Sequence, residues 1–267
     1  MILLFDIGNT NTHVGLADDR RVVKNTNIPT SLWFRGAAGK VAKKFVDRAN
    51  LDGAALCSVV PRATPRVRKL VAQLSRERRH LAGTDAGAPG IPLLELTSKT
   101  LRGIGIDYPK PDTIGQDRLA NAVAARQRFG APVVVVDFGT AVTFDVVDRA
   151  GNYAGGIIAP GLAAMTDYLH EKTALLPRIR IREVKTAIGR STEQAMLVGA
   201  VHGYRGLVRE LIAELKRELK VNQLPVVATG GYAGLIAARL PEIKAIEPNL
   251  TLEGLRLAWE AAHGVRA

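Results

Sequence analysis

Three apolar runs punctuate the chain, at Met1 to Phe5, Val133 to Val136 and Leu224 to Ala228, and each ends abruptly in a glycine-containing polar turn. Short continuous apolar runs bounded by turn residues predict buried strands. The first two runs lead into Asp6-Ile7-Gly8-Asn9-Thr10 and Asp137-Phe138-Gly139-Thr140, two Asp-x-Gly units 131 positions apart. After each, alternation of polar and apolar residues predicts a hairpin. The first covers Thr12 to Leu16 and Arg21 to Lys24 around Asp18-Asp19. The second covers Ala141 to Val147 and Tyr153 to Ile158 around Asp148-Arg149-Ala150-Gly151. The halves therefore read as duplicated βββα units.

Helical periodicity occupies Thr30 to Ala49, Arg66 to His80, Asp117 to Phe129, Gly161 to Lys172, Glu193 to Lys220 and Leu252 to His263, so the expected class is α/β with mixed sheets. No low-complexity linker separates the halves. The internal echo puts the division near residue 119, giving expected domains of 1–119 and 120–267. Gly83 to Pro92 and Gly103 to Gly115 read as loops.

Composition narrows the class. At 267 residues and 47% hydrophobic content, the chain can bury a substantial core. Its single cysteine, Cys57, excludes an internal disulfide or a multi-cysteine metal site and reads as a small buried hydrophobe within Ala54 to Val60. The N-terminus lacks a signal-peptide pattern and no run approaches the roughly 20 residues of a membrane span, so the expectation is a cytoplasmic protein. The formal charge of +12 raises nucleic acid as a partner. Its densest basic stretch, Arg62 to Arg79, interleaves Val67, Leu70, Val71 and Leu74 at helical spacing, which is the solvated face of an amphipathic helix. Aromatic residues make up only 5%, and no groove-reading or base-stacking signature is present, so no nucleic-acid partner is expected. The five histidines form no pair at metal-binding spacing.

Two common nucleotide signatures are missing: there is no Walker A sequence, and Gly103-x-Gly105 has Tyr108 where a dinucleotide loop needs its third glycine. The Asp-x-Gly-x-Thr pattern offers another route to phosphate. A strand-end carboxylate can face Mg²⁺ through water, the glycine admits close backbone approach, and amides with a threonine hydroxyl can donate to phosphate oxygens. One copy alone reads more readily as an ordinary turn; two copies after matched runs favour phosphate. The third run opens Thr229-Gly230-Gly231-Tyr232-Ala233 before a predicted helix, a turn suited to an anion or to a base and ribose and, by itself, equally to a structural strand-to-helix connection.

Together these three turns resemble the phosphate 1, phosphate 2 and adenosine loops of the actin, Hsp70 and hexokinase superfamily, which implies duplicated ribonuclease H-like domains with mixed five-stranded sheets and flanking helices. The resemblance narrows through Gly115-Gln116-Asp117-Arg118, Gly155-Gly156-Ile157-Ile158-Ala159-Pro160-Gly161, Leu176-Pro177 and Ile188 to Met196. These segments, in this order and nearly end to end, resemble type III pantothenate kinase, the family related to the Bvg accessory factor. That resemblance implies ATP-dependent phosphorylation of pantothenate, the first step of coenzyme A biosynthesis, by a homodimer using Mg²⁺ and K⁺ or NH₄⁺.

Carried over residue by residue, it implies Asp117 as general base, with Tyr108, Gly115, Gln116, Asp117, Arg118 and Thr192 as pantothenate-binding residues. Asp6, Ile7, Gly8, Asn9, Thr10, Asn11, Thr12, His13 and Thr140 are the implied ATP contacts. Asp137 is the implied monovalent-cation ligand, and Asp6 faces Mg²⁺. The chemistry suits the residues: a carboxylate accepts a hydroxyl proton, and a guanidinium forks onto a carboxylate. Read alone, Asp117 and Thr192 are also ordinary helix N-caps and Tyr108 a half-buried loop residue. Two departures stand out: Lys110 where the family often has asparagine, and Gln116 where a small or apolar residue is usual. The competing readings are a regulatory relative without phosphoryl transfer and a kinase of the same superfamily with another hydroxylated substrate. The face Ala195 to Leu219 fits either a dimer helix or a core helix.

Overall fold

The computed structural model describes residues 1–47, 49–81 and 90–264, with backbone alone at 78–81. The chain divides into two compact units, Met1–Ala124 with Asn249–Ala267, and Ala125–Pro248. Most of the expected loop at Gly83 to Pro92 lies outside the described residues.

In the first unit, β1 (Ile2–Ile7), β2 (Asn11–Ala17) and β3 (Val22–Pro29) form an antiparallel meander. Parallel to β1 on its other side runs β4 (Gly53–Ser58), followed by β5 (Leu93–Glu95), giving the order β3-β2-β1-β4-β5. Strand β1 is central, which explains why its sequence is apolar on both faces. Between β3 and β4 the pattern predicts one helix, but Gly36, at φ +73°, separates α1 (Ser31–Phe34) from α2 (Ala38–Val46). A left-handed residue ends a right-handed helix, and glycine adopts it without a Cβ clash. In α3 (Thr64–Leu81) Val67, Leu70, Val71 and Leu74 are buried, while Arg66, Arg68 and Lys69 face out, as the periodicity predicts. These helices cover Leu3, Phe5, Ile7, Val14 and Leu56 with Trp33, Phe45 and Leu70; each such side chain contributes about 1.5–3 kcal/mol when fully buried.

The loop before residue 116 contains a two-residue strand, β6 (Gly105–Ile106), and a 3₁₀ turn at Pro111–Thr113. Helix α4 (Gln116–Phe129) then carries the chain into the second unit.

There the pattern repeats: β7 (Val133–Phe138), β8 (Ala141–Val147) and β9 (Asn152–Pro160) form a meander, followed by α5 (Leu162–Lys172), α6 (Thr192–Val198) and α7 (Tyr204–Glu218). The predicted helix over Glu193 to Lys220 is interrupted by a π-helical turn at Gly199–Gly203. Strand β10 (Val226–Thr229) pairs parallel with β7; after α8 (Ala233–Ile236), β11 (Ala245–Ile246) joins β10. The strands of this unit thus run β11-β10-β7-β8-β9, the first unit's topology repeated. A meander with parallel strands added beyond its first member is the ribonuclease H-like arrangement, so the expected duplicated fold is present.

The last helix, α9 (Leu250–His263), packs in the first unit. Gly254 lies so close to the Ala120 carbonyl, and Gly53 so close to the Trp259 ring, that neither position has space for a Cβ. Thr251 Oγ1 donates to buried Asn121 Oδ1 at 2.8 Å, which satisfies a polar side chain on the inner face of α4. Among the described residues no helix is long and apolar enough to cross a membrane.

Candidate active site

The first site begins where β1 and β4 end side by side. Their parallel register places Asp6 opposite Cys57 and Ile7 opposite Ser58. The buried Cys57 thiol donates to Asp6 Oδ1 at 3.4 Å. Burial, then the charges of Asp6 and Asp117, push the Cys57 thiol well above its ordinary pKa, so it remains protonated and keeps donating. Its role is that of a hydrogen-bond donor beside two carboxylates, more specific than the small hydrophobe the sequence indicated.

Asp117 is the second residue of α4 rather than its N-cap, and its Oδ1 accepts from the Arg118 amide at 2.8 Å. Burial raises its pKa, while the Arg118 amide and the Arg118 charge oppose the shift. Gly115 makes this geometry possible: a Cβ there would stand 2.6 Å from Asp117 Oδ1. The result is a desolvated carboxylate at the positive end of a helix, next to a guanidinium. Gln116 Oε1 accepts from the Ser58 amide at 2.8 Å, so its carbonyl oxygen is directed to the end of β4.

The turn between β1 and β2 is braced from behind. Gly8 N–H donates to Asn11 O at 3.0 Å and the Thr30 amide donates to Thr10 O at 2.9 Å. Thr30 Oγ1 donates to Gly8 O at 2.7 Å and lies 3.1 Å from Thr12 Oγ1, to which Trp33 Nε1 donates at 3.0 Å. Thr12, Thr30 and Trp33 are buried, whereas Asn9 and Thr10 are exposed at the tip. Of the expected ATP contacts, Asn9 and Thr10 are therefore presented outward, and Thr12 belongs to the brace. His13 pairs with Asp6 across the strands, and burial lowers its pKa despite a hydrogen bond with Asn27, so the ring is neutral at pH 7. Thr30 and Trp33 escaped sequence reading because a threonine before a helical pattern resembles a cap.

In the second unit Asp137 is the penultimate residue of β7, and β10 places Thr229 directly opposite it. Gly230, at φ +91°, folds back over that end: a Cβ there would stand 2.5 Å from Asp137 Oδ1 and 2.6 Å from Phe138 N. Gly139 and Thr140 are exposed, and Gly161 packs onto both of their carbonyls with no space for a side chain. Tyr204 Oη donates to Pro160 O at 3.0 Å, and burial lifts its pKa to about 12. The meander also buries Asp145, to which Thr143 Oγ1 donates at 3.4 Å; the alternating pattern had marked this merely as a polar strand position. Thr192 opens α6, but its N-cap is Ser191, whose Oγ accepts from Gln194 N at 3.2 Å. Thr192 is exposed and Tyr108 is 37% exposed in its loop.

Within the first unit, then, Asp6, Asp117 and the Gly8–Asn11 turn gather around the ends of β1 and β4 and the start of α4. Asp137, Thr140 and Thr192 belong to the second unit.

The type III pantothenate kinase family model matches residues 2–214. The type III pantothenate kinase of Methylacidiphilum infernorum is 44% identical over 260 residues, covering 97% of this chain and 88% of that protein. The one from Akkermansia muciniphila is also 44% identical, over 257 residues covering 96% and 97%. Among solved structures, a conserved putative Baf family transcriptional activator from Campylobacter jejuni shares the fold, with a TM-score of 0.58 at 17% identity, over 98% of this chain and 99% of that one. On the extent of these matches, the chain belongs to the type III pantothenate kinase family.

Proposed function

We propose that the protein transfers the γ-phosphoryl group of ATP to the primary hydroxyl of pantothenate, opening coenzyme A biosynthesis, with Asp117 as general base. The observation that carries the reading is the Asp6, Cys57 and Asp117 set: two carboxylates held by different elements beside one protonated thiol, next to an exposed glycine turn. Asp117 accepts the hydroxyl proton; its raised pKa makes it a stronger base than a solvated aspartate. Arg118 grips the pantothenate carboxylate, and Tyr108, Gly115 and Thr192 are further pantothenate contacts in this reading. The Asp6 to His13 segment and Thr140 hold ATP, with turn amides and hydroxyls donating to phosphate oxygens.

Asp6 is the residue that would hold Mg²⁺, and the donor set fits. Among the described residues no group of three acidic, histidine or cysteine ligands forms a closed metal cage. A single strand-end carboxylate suits an ion that keeps its waters and takes further oxygens from phosphates. Asp137 would hold K⁺ or NH₄⁺, since a strand-end carboxylate offers the oxygen donor a hard monovalent ion takes. When bound, the two ions supply positive charge that offsets the triphosphate. The reading includes a cytoplasmic homodimer, supported by exposed apolar residues of the second unit: Ile158, Tyr168, Leu175 and Ile188 are 65%, 60%, 89% and 77% exposed.

Phosphorylation of pantothenate by the purified protein with Mg·ATP, in K⁺ and with K⁺ replaced by Na⁺, tests this beside Asp117→Asn. The expected result is K⁺-dependent turnover that falls about a thousand-fold in the variant. A folded dimer without turnover in any salt would overturn it in favour of the regulatory relative.

A further inference from the structure

Strand β4 ends with an amide that has outrun its neighbour. Along β4 alternate amides face β5: Ala54 N–H donates to Pro92 O at 2.9 Å, and Leu56 O accepts from Leu96 N at 2.8 Å. Strand β5 ends at Glu95, opposite Leu56, so the Ser58 amide, facing the same side, has no strand to meet. On the opposite edge the Val59 amide still donates to Ile7 O at 3.1 Å, which keeps β1 and β4 in register to their ends.

Gln116 supplies the missing acceptor. Its Oε1 takes the Ser58 amide at 2.8 Å, while Ser58 Oγ accepts from Val60 N at 3.1 Å and from Thr64 Oγ1 at 2.8 Å. Two consecutive residues of β4 therefore hold the two carboxylate-bearing elements: the Cys57 side chain binds Asp6, and the Ser58 backbone binds the residue preceding Asp117. An aliphatic side chain at 116 has no atom that could accept this bond.

We propose that Gln116 is a positioning residue, a strut from the first turn of α4 to the end of β4 that sets where the Asp117 carboxylate stands relative to Asp6. The inference rests on the assignment of Asp117 as base. Its energetic logic is geometric: a reacting carboxylate displaced by about an ångström costs as much as two orders of magnitude in rate, while substrate affinity changes little.

Three variants test it in the intact protein at mildly alkaline pH, each followed by kcat, both KM values, thermal midpoint and hydrogen exchange at the Ser58 amide. Gln116→Met keeps length and volume but leaves only a weak thioether acceptor; Gln116→Glu keeps an oxygen acceptor at the same reach. Gln116→Met is expected to lower kcat about ten-fold, leave the KM for ATP within about two-fold and accelerate Ser58 exchange, with Gln116→Glu restoring kcat to within about three-fold of the parent. The strut is refuted by a Gln116→Met enzyme with parental kcat, by equal impairment of the two Gln116 variants, or by a loss of activity that merely follows a fall in thermal midpoint. Asp117→Asn is the third variant, scored separately: if it retains turnover, the base assignment fails, whereas the strut stands or falls on the contrast between Met and Glu at position 116.

Discussion

The two glycine turns begin as copies and end as different devices. Strands β1 and β7 share one burial pattern, as do β2 and β8, and Asp6 and Asp137 occupy the same step of their strands. The first turn is one residue longer: Ile7 pairs with Thr12, whereas Phe138 pairs with Val142. Behind it, side-chain hydrogen bonds from Thr30 and Trp33 brace the loop, while behind the second the backbone of Gly161 packs directly on Gly139 and Thr140. The parallel neighbour of β1 brings a thiol to Asp6, and that of β7 brings a glycine turn to Asp137. Duplication thus supplies two equivalent carboxylates, and the neighbouring strand determines what each can do. One stands beside a second buried carboxylate; the other lies under a glycine.

Neutralising each carboxylate should break the equivalence most sharply. Asp6→Asn is expected to cut kcat about a thousand-fold in any salt, comparable to losing a principal charge-stabilising group, whereas Asp137→Asn should retain residual turnover that no longer distinguishes K⁺ from Na⁺; steady-state assays in both salts would decide it. Next in size is Gly230→Ala. Its φ of +91° and the 2.5 Å approach to Asp137 Oδ1 predict a loss of about 3 kcal/mol, read from denaturant midpoints. The first turn should prove more forgiving. Thr30→Val removes the hydroxyl bond to Gly8 O and should cost about 1–2 kcal/mol while raising the KM for ATP. The smallest effect is in pH. Because the Asp117 pKa is raised, its reactive ionised form is populated only at higher pH than an ordinary aspartate's, so the acidic limb of kcat/KM should lie above the usual carboxylate range. Arg118 opposes that shift, so Arg118→Met should move the limb further up, a result a pH–rate profile would show.

Much of this was legible in the residues. The apolar runs marked β1, β7 and β10, the Asp-x-Gly units marked both turns, and alternation predicted the hairpins, because these signals depend on local burial and local turn chemistry. The Gly115 to Arg118 segment was equally visible. Hidden from it were Thr30 and Trp33, which reach the first turn from the next helix, and Cys57 and Ser58, whose meaning depends on where β5 stops. Composition gives no sign that Gln116 is engaged with a strand 58 residues earlier.

What the sequence by itself determined is therefore the repeated strand-and-turn pattern, its helices and the chemical character of its carboxylates, since a residue's hydrophobicity and its neighbours in the chain suffice for that. Tertiary structure alone decided which hydrogen-bond partners each carboxylate has, that α9 packs against α4 through Gly254, and that burial tunes Asp117 and His13 in opposite directions. The physical reason is that desolvation and hydrogen bonding act between groups distant in sequence, and the sign of a pKa shift depends on whether the charged form of the buried group is anionic or cationic.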